Sequence, residues 1–208
     1  MAQLMTPASS SSATGSTSPE PSTPARPSAL IDGVYTIPLK VFGDTRGFFF
    51  ETFRRSWVPG SREMVQGNCS FSTAGVLRGL HYHLKQADLW NVPIGQVRAV
   101  LYDFRQSSPT RGAAEIVELG EANRVALYIP KGVAHGFLAL RESYMTYLVD
   151  EYYDNSDELG ILWNDPALGV DWGVGGDQGP AASIVPSLSD RDRQNLPISE
   201  IAPGRRPP

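Results

Sequence analysis

Residues 96–140 read QVRAVLYDFRQSSPTRGAAEIVELGEANRVALYIPKGVAHGFLAL. Four apolar runs stand in this stretch: Gln96–Phe104, Ala114–Leu119, Arg124–Ile129 and His135–Leu140. Between them lie the chain-reversal signals Ser108-Pro109, Gly120 and Pro130-Lys131-Gly132. Short runs of β-branched and aromatic residues at a spacing of roughly 8–12, with turn residues between, indicate antiparallel strands of a sandwich or barrel. The rhythm continues outward. Val34–Phe42, Phe48–Phe53, Met64–Ser70 and Gly75–His83 precede the stretch, and Tyr144–Asp150 follows it. Gly43-Asp44, Pro59-Gly60 and Pro93-Ile94-Gly95 punctuate these runs. No window between residues 31 and 150 sustains the 3.6-residue period of an amphipathic helix. Beyond residue 155 the pattern weakens. Leu168–Val174 is expected to add one short strand, 173–179 a loop, and Ser189–Gln194 a capped helical turn.

The chain has 208 residues with 20 glycines and 17 prolines, which disfavours long helices. Its first 29 residues hold 17 Ser, Thr or Pro and only two charges, Glu20 and Arg26. Such a segment cannot bury enough apolar surface to offset its ordering entropy, so residues 1–29 are expected to be a disordered tail and 30–203 a single all-β domain. The net charge of −4 supplies no general basic field, so nucleic acid is not an expected partner. No apolar run approaches the ~18 residues of a membrane span, and the N-terminus has neither a basic nor an apolar leader region. Cys69 is the only cysteine, which excludes an internal disulfide and any zinc cluster built on cysteines. These features favour the cytoplasm.

The three histidines, His81, His83 and His135, all fall in expected strands. Side chains alternate along a strand, so Leu77, Gly79, His81 and His83 are expected on one face and Arg78, Leu80 and Tyr82 on the other. Two imidazoles side by side on one face among apolar neighbours point to chemistry more than to a solvated surface. Taken alone, His135 after Pro130-Lys131-Gly132 is a histidine at a strand entrance, and Arg46 with Glu51 is an ion pair on an edge strand.

Together the segments carry more. DTRGFFFETF (44–53), GVLRGLHYH (75–83), SPTRG (108–112), YIPKGVAHGFLAL (128–140), ILWNDPALGVDW (161–172) and LSDRD (188–192) occur in one order. Across about residues 33–200 this set resembles the dTDP-4-dehydrorhamnose 3,5-epimerase family. The resemblance implies a cupin-like jelly roll and a soluble homodimer acting on a dTDP-linked 4-keto-6-deoxysugar. The 4-keto group acidifies the C–H bonds at C3 and C5, so that a base removes a proton from one face and an acid returns it to the other. In the family's pattern His81 is the base, Asp192 its orienting carboxylate and Tyr147 the acid. Substrate-binding positions are implied at Arg46, Glu51, Gln66, Asn68, Arg78, His135, Glu158 and, for a family Lys, Arg191. This chemistry requires no cofactor.

The pattern is broken at two positions. The usual RGLHxQ is RGLHYH, so a Gln becomes His83, and the usual QxKLV is Gln86-Ala87-Asp88-Leu89-Trp90, so a Lys becomes Asp88. In the family that Lys helps stabilise the enolate oxygen at C4. An anion there opposes the same charge, and donors at such positions are worth ~3–4 kcal/mol. Lys85 lies close but on another register. The same changes make His81, His83, Asp88 and His135 fit a metal-binding cupin pattern in part. Three readings follow: an epimerase acting at C3, C5 or both; a metal-dependent cupin isomerase or oxygenase with those four ligands, in which His81 could not be the base; and a non-catalytic sugar-nucleotide-binding relative.

Overall fold

Val97, Ala99 and Leu101 alternate with Val100 and Tyr102 along one strand, and both sets are buried. The first set joins a core with Trp90, Leu127 and Phe137 between two sheets. The second joins another with Leu77, Leu80, Leu168 and Trp172, beneath the C-terminal segment. A strand buried on both faces lies at the centre of its layers, and each large aliphatic side chain so enclosed contributes about 1.5–3 kcal/mol.

The computed structural model describes residues 25–208. In chain order the strands are β1 Arg26–Pro27, β2 Tyr35–Pro38, β3 Val41–Asp44, β4 Gly47–Phe50, β5 Gln66–Ser72, β6 Leu77–Tyr82, β7 Asp88–Ile94, β8 Gln96–Asp103, β9 Ala114–Gly120, β10 Val125–Ile129, β11 Val133–Ala139, β12 Ser143–Val149 and β13 Leu159–Gly160. One sheet has the order β1-β2-β10-β7-β12-β5, the facing sheet the order β13-β6-β11-β8-β9, and β3-β4 form a separate two-stranded ribbon. The pairings between these strands are antiparallel. The short helix α1, Asp190–Arg193, is capped by Ser189, whose hydroxyl accepts from the Asp192 amide, as its sequence predicts.

Four expectations are corrected. The run Val34–Phe42 is two strands: β2 ends at Pro38, and the chain then turns out of the sheet into the ribbon. The stretch 88–94 was not expected to be a strand, yet β7 is central, between β10 and β12. Its partner's register shifts between Tyr144 and Thr146, opposite the segment containing Pro93, where a missing N–H is tolerated. Leu168–Val174 forms no strand. Asp165 caps a 3₁₀ turn at Pro166–Leu168, and Gly169 in the left-handed conformation (φ 62°) ends it. Of the expected tail, residues 1–24 lie outside the described residues, but 25–29 do not behave as a tail. Arg26 and Pro27 pair with Thr36 and Tyr35. The Ser28 hydroxyl accepts from the Leu30 and Ile31 amides and donates to Glu115.

The strict alternation expected for Leu77–His83 is also overturned. β6 pairs with β11 through His81↔His135 but Arg78↔Phe137, so β6 carries one extra residue between them. This bulge turns Arg78 to the same side as His81 and sends Leu77, Leu80 and Tyr82 to the outer core. Two glycines permit it. A Cβ on Gly136 would meet the Arg78 carbonyl oxygen at 2.6 Å, and one on Gly79 (φ 109°) would meet Gly136 Cα at 2.8 Å. Gly136→Ala is therefore expected to lower stability by about 1–3 kcal/mol, read as a lower urea midpoint at unchanged slope. An unaltered midpoint would show that the two strands can separate without loss.

Candidate active site

Between the sheets, at the end where β6, β7, β11 and β12 approach one another, lies a cavity of about 280 Å³. Seven of the residues singled out from sequence line it: Gln66 and Asn68 from β5, Arg78 and His81 from β6, His135 from β11, Tyr147 from β12, and Glu158 just before β13. His83 and Asp88 line it as well. Asp192 stands behind the wall. Arg191 lies beside it, in an adjoining depression shared with Arg78, His81 and Glu158. Arg46 and Glu51 are not brought to this cavity. Arg46 pairs with Asp44 at the tip of the β3–β4 ribbon, and Glu51 pairs with Arg54 at its base.

His81 is held from behind. Its Nε2 lies 2.7 Å from Asp192 Oδ1. Burial opposes ionisation of Asp192, but the His81 hydrogen bond, the Ser189 hydroxyl and the Gly79 amide outweigh it and hold the carboxyl below the usual range. An ionised carboxylate only accepts, so Nε2 carries a proton, and when the ring is neutral the lone pair is on Nδ1. Nδ1 lies 3.9 Å from Glu158 Oε1. Glu158 is also kept ionised: burial raises its pKa, and the hydrogen bond from Arg191, the charge of His81 and the Tyr153 hydroxyl lower it further. Arg191 Nη1 sits 2.8 Å from Glu158 Oε2.

Tyr147 is in the same cavity, and burial, followed by the charges of Asp88 and Glu158, raises its pKa, so it is a protonated phenol at neutral pH. His135 is buried and pushed down to about 4, chiefly by desolvation and against the attraction of Asp88, so it is neutral. Arg78 donates to Ser72 Oγ at 3.1 Å and to the Phe71 carbonyl, which holds the guanidinium against β5. Gln66 donates to Asn68 Oδ1 at 2.9 Å, fixing the orientation of both amides.

The two departures from the family pattern lie side by side. His83 Nδ1 is 2.9 Å from the Asp157 carbonyl oxygen and His135 Nδ1 is 2.9 Å from that of Val133. Asp88 accepts from Gln86 Nε2 on Oδ1 and from Trp90 Nε1 on Oδ2. One ligand atom each from His83, Asp88 and His135 lie within 4.8 Å of one another. His81 is not in this group, which corrects the four-ligand set: it is turned to Asp192 instead. Lys85 is not in the cavity either; its ammonium lies on the surface, 3.4 Å from Asp154. Sequence reasoning missed Trp90, Gln86 and Asp157, which position this cluster. Trp90 is two residues from Asp88, on the same side of β7, and would have been found had 88–94 been read as a strand.

The fold defines the class first: a cupin-like antiparallel β-sandwich with a side-chain-lined cavity between its sheets. The family model for dTDP-4-dehydrorhamnose 3,5-epimerase matches residues 28–200. A dTDP-4-dehydrorhamnose 3,5-epimerase of Neisseria gonorrhoeae is 44% identical over 159 residues, 74% of this chain; the match spans 46% of that longer protein. One of Shigella flexneri is 42% identical over 161 residues, covering 74% of this chain and 84% of the relative. Among solved structures, the dTDP-6-deoxy-D-glucose-3,5-epimerase of Legionella pneumophila in complex with dTDP-4-keto-L-rhamnose superposes with a TM-score of 0.79 at 35% identity, covering 88% of this chain and 96% of that one. The chain belongs to the dTDP-4-dehydrorhamnose 3,5-epimerase family, whose members are isomerases.

The Asp192 and Glu158 carboxyls are lowered on folding, so the stability they contribute is present above the unfolded carboxylate range and is lost as pH falls through it. Asp192→Asn is expected to cost about 1–3 kcal/mol at pH 7, a deficit that shrinks as pH drops below about 4. Thermal unfolding of both proteins from pH 7 to pH 3 checks this; a deficit independent of pH would refute it.

Proposed function

We propose that the protein epimerises a dTDP-linked 4-keto-6-deoxyhexose at C3, C5 or both, with His81 as base and Tyr147 as acid. The observation that carries this reading is the His81–Asp192 pair, 2.7 Å apart, in the wall of the cavity that Tyr147 also lines. Asp192 holds the Nε2 proton, so the Nδ1 lone pair takes the proton from carbon. The C–H electron pair moves into a C3–C4 or C4–C5 double bond, and the C4 carbonyl becomes an enolate oxygen. Asp192 stabilises the imidazolium formed, as a carboxylate does in hydrolase triads. Tyr147 then delivers its phenolic proton to the opposite face of the carbon, re-forming the ketone; it recovers a proton from solvent as the His81 imidazolium releases one. Its raised pKa keeps that proton available. Arg78 and Arg191 are cations suited to the pyrophosphate, while Gln66, Asn68, His135 and Glu158 supply neutral and anionic partners for sugar and base.

Incubation with dTDP-4-keto-6-deoxyglucose in D2O tests the assignment. Wild type is expected to incorporate deuterium at C3, C5 or both. His81→Ala should abolish exchange, with a loss of at least ~10³-fold. Tyr147→Phe should slow net epimerisation by about 10²–10³-fold while exchange persists. Full activity in both variants would sink the roles, and exchange at neither carbon in the wild type would sink the reaction.

The working form in this reading is a cytoplasmic homodimer. The β3–β4 ribbon supports the dimer: Phe42, Phe48 and Phe49 are 50%, 57% and 63% exposed. Arg124 stacks beneath Phe48 and Phe50 at 4.6 and 5.0 Å, anchoring the ribbon while leaving its outer face apolar. Arg46 at its tip is remote from its own chain's cavity and suited to that of a second copy. Light scattering at micromolar concentration is expected to give twice the 22.6 kDa chain mass. A monomer would rule the dimer out, and Phe49→Glu should weaken assembly.

A further inference from the structure

We infer that His83, Asp88 and His135 form a binding site for one divalent transition-metal ion inside the same cavity. Backbone carbonyl oxygens can only accept hydrogen bonds. The bonds from His83 Nδ1 to Asp157 and from His135 Nδ1 to Val133 therefore fix both tautomers with the proton on Nδ1. Each Nε2 carries a lone pair. His135 Nε2 lies 3.9 Å from Asp88 Oδ2, and the ligand atoms of all three residues lie within 4.8 Å of one another. In their neutral forms two imidazoles thus turn lone pairs toward a carboxylate in one buried space. A cation resolves that convergence.

The surroundings are those of a built site. A metal-ligating imidazole ordinarily donates its other N–H to a carbonyl or carboxylate, and a ligating carboxylate is itself hydrogen-bonded. Both conditions hold: Asp88 takes hydrogen bonds from Gln86 Nε2 at 2.8 Å and Trp90 Nε1 at 3.0 Å. The carbonyl that orients His83 belongs to Asp157, whose side chain caps the Leu84 and Lys85 amides. Donors about 2.1 Å from a tetrahedral ion stand roughly 3.4 Å apart, so binding draws the pair at 3.9 Å together by about 0.5 Å and any at the 4.8 Å limit by about 1.4 Å. Two imidazoles and one carboxylate suit Zn²⁺, Fe²⁺, Co²⁺ or Ni²⁺ better than Mg²⁺ or Ca²⁺. Three protein ligands leave coordination positions open toward the cavity. His81 is excluded from the set by its bond to Asp192, so a metal and a free base coexist.

The site itself stands apart from the proposed reaction. Its role rests on that reading: the ion supplies, at the position where the family carries a lysine, the positive charge that an enolate oxygen at C4 requires.

The test uses untagged protein stripped with chelator and titrated with Zn²⁺ by calorimetry and with Co²⁺ by visible absorption. Wild type is expected to bind one equivalent, and His81→Gln to bind it equally. His83→Gln and Asp88→Asn should each weaken binding at least about a hundredfold, with unfolding curves verifying the fold. No binding by the wild type, or binding unchanged in both ligand variants, overturns the site. Deuterium exchange then tests the role. Stripping should slow exchange by about 10²–10³-fold, and added Zn²⁺ or Co²⁺ should restore it. The double variant His83→Gln, Asp88→Lys should exchange without metal and resist chelator. A stripped wild type that exchanges at full rate overturns the role while leaving the site. Metal bound as expected with no exchange in any form leaves the site standing and refutes the epimerase reading instead.

Discussion

The place where β6 crosses β11 sets the geometry of everything that faces the cavity. Gly79 and Gly136 bring the two backbones so close that no side chain fits on either one. The extra residue between Arg78 and His81 follows from that approach. Without it, alternation would put Arg78 and His81 on opposite faces, and the guanidinium would lie beside Leu80 and Tyr82 in the outer core. With it, a guanidinium and an imidazole share one wall. The bulge also aligns His81 with His135 across the pair, so the imidazoles of two strands enter the same space. Bulges concentrate beside functional sites because they re-aim a side chain without unpairing the sheet around it.

The second support comes from the C-terminal segment. α1 is a single turn, too short to be stable by itself, and it is fixed by Ser189 at its start and by Leu77 meeting the Ser187 carbonyl through its amide. Asp192 on that turn is buried and receives both His81 and the Gly79 amide. His81 and Asp192 are 111 residues apart in sequence yet share one local framework: the bulge sets His81 and also presents the amide that sets Asp192. Disturbing the glycine pair therefore reaches the imidazole, the carboxylate and Arg78 together.

Much of this architecture was legible in the chain. β8 to β12 were readable because β-branched and aromatic runs alternate with Pro and Gly turns at short intervals. β7 was not, because both of its faces are buried and Asp88, Asn91 and Pro93 break the apolar run that such a strand otherwise shows. Polar residues stand there because the strand passes through the site. The division of Val34–Phe42 was hidden for a different reason: a proline is tolerated at a strand end and gives no sign that the next residues leave the sheet. Of the site, the residue types and their order identified His81, Tyr147 and Asp192 as candidates, but the faces of β6 could not be read by counting. A one-residue bulge inverts every assignment on one side of it, and the glycine pair that causes it meets only in three dimensions.

Charge decides what the cavity can accept. Asp88, Asp154 and Glu158 line it, against the single guanidinium of Arg78, with Arg191 already engaged by Glu158. A ligand carrying a pyrophosphate and passing through an enolate adds further negative charge to that balance. The phosphates can lie toward Arg78 and Arg191, beside the rim, where water still screens the acidic groups. The enolate oxygen has no such relief. In the proposed reaction it forms in the cavity that Tyr147 lines, where burial and then Asp88 and Glu158 already hold the Tyr147 proton more tightly, and an anion opposite it would raise the cost again. A lysine would reverse the sign at that point, but Lys85 is turned to the surface. What this chain places there is a carboxylate flanked by two imidazoles whose lone pairs are fixed inward. That arrangement is poor as an oxyanion site and good as a cation site. The substitution of Lys by Asp and that of Gln by His make chemical sense as one change: neither helps the enolate alone, and together they build the holder for the charge that was removed.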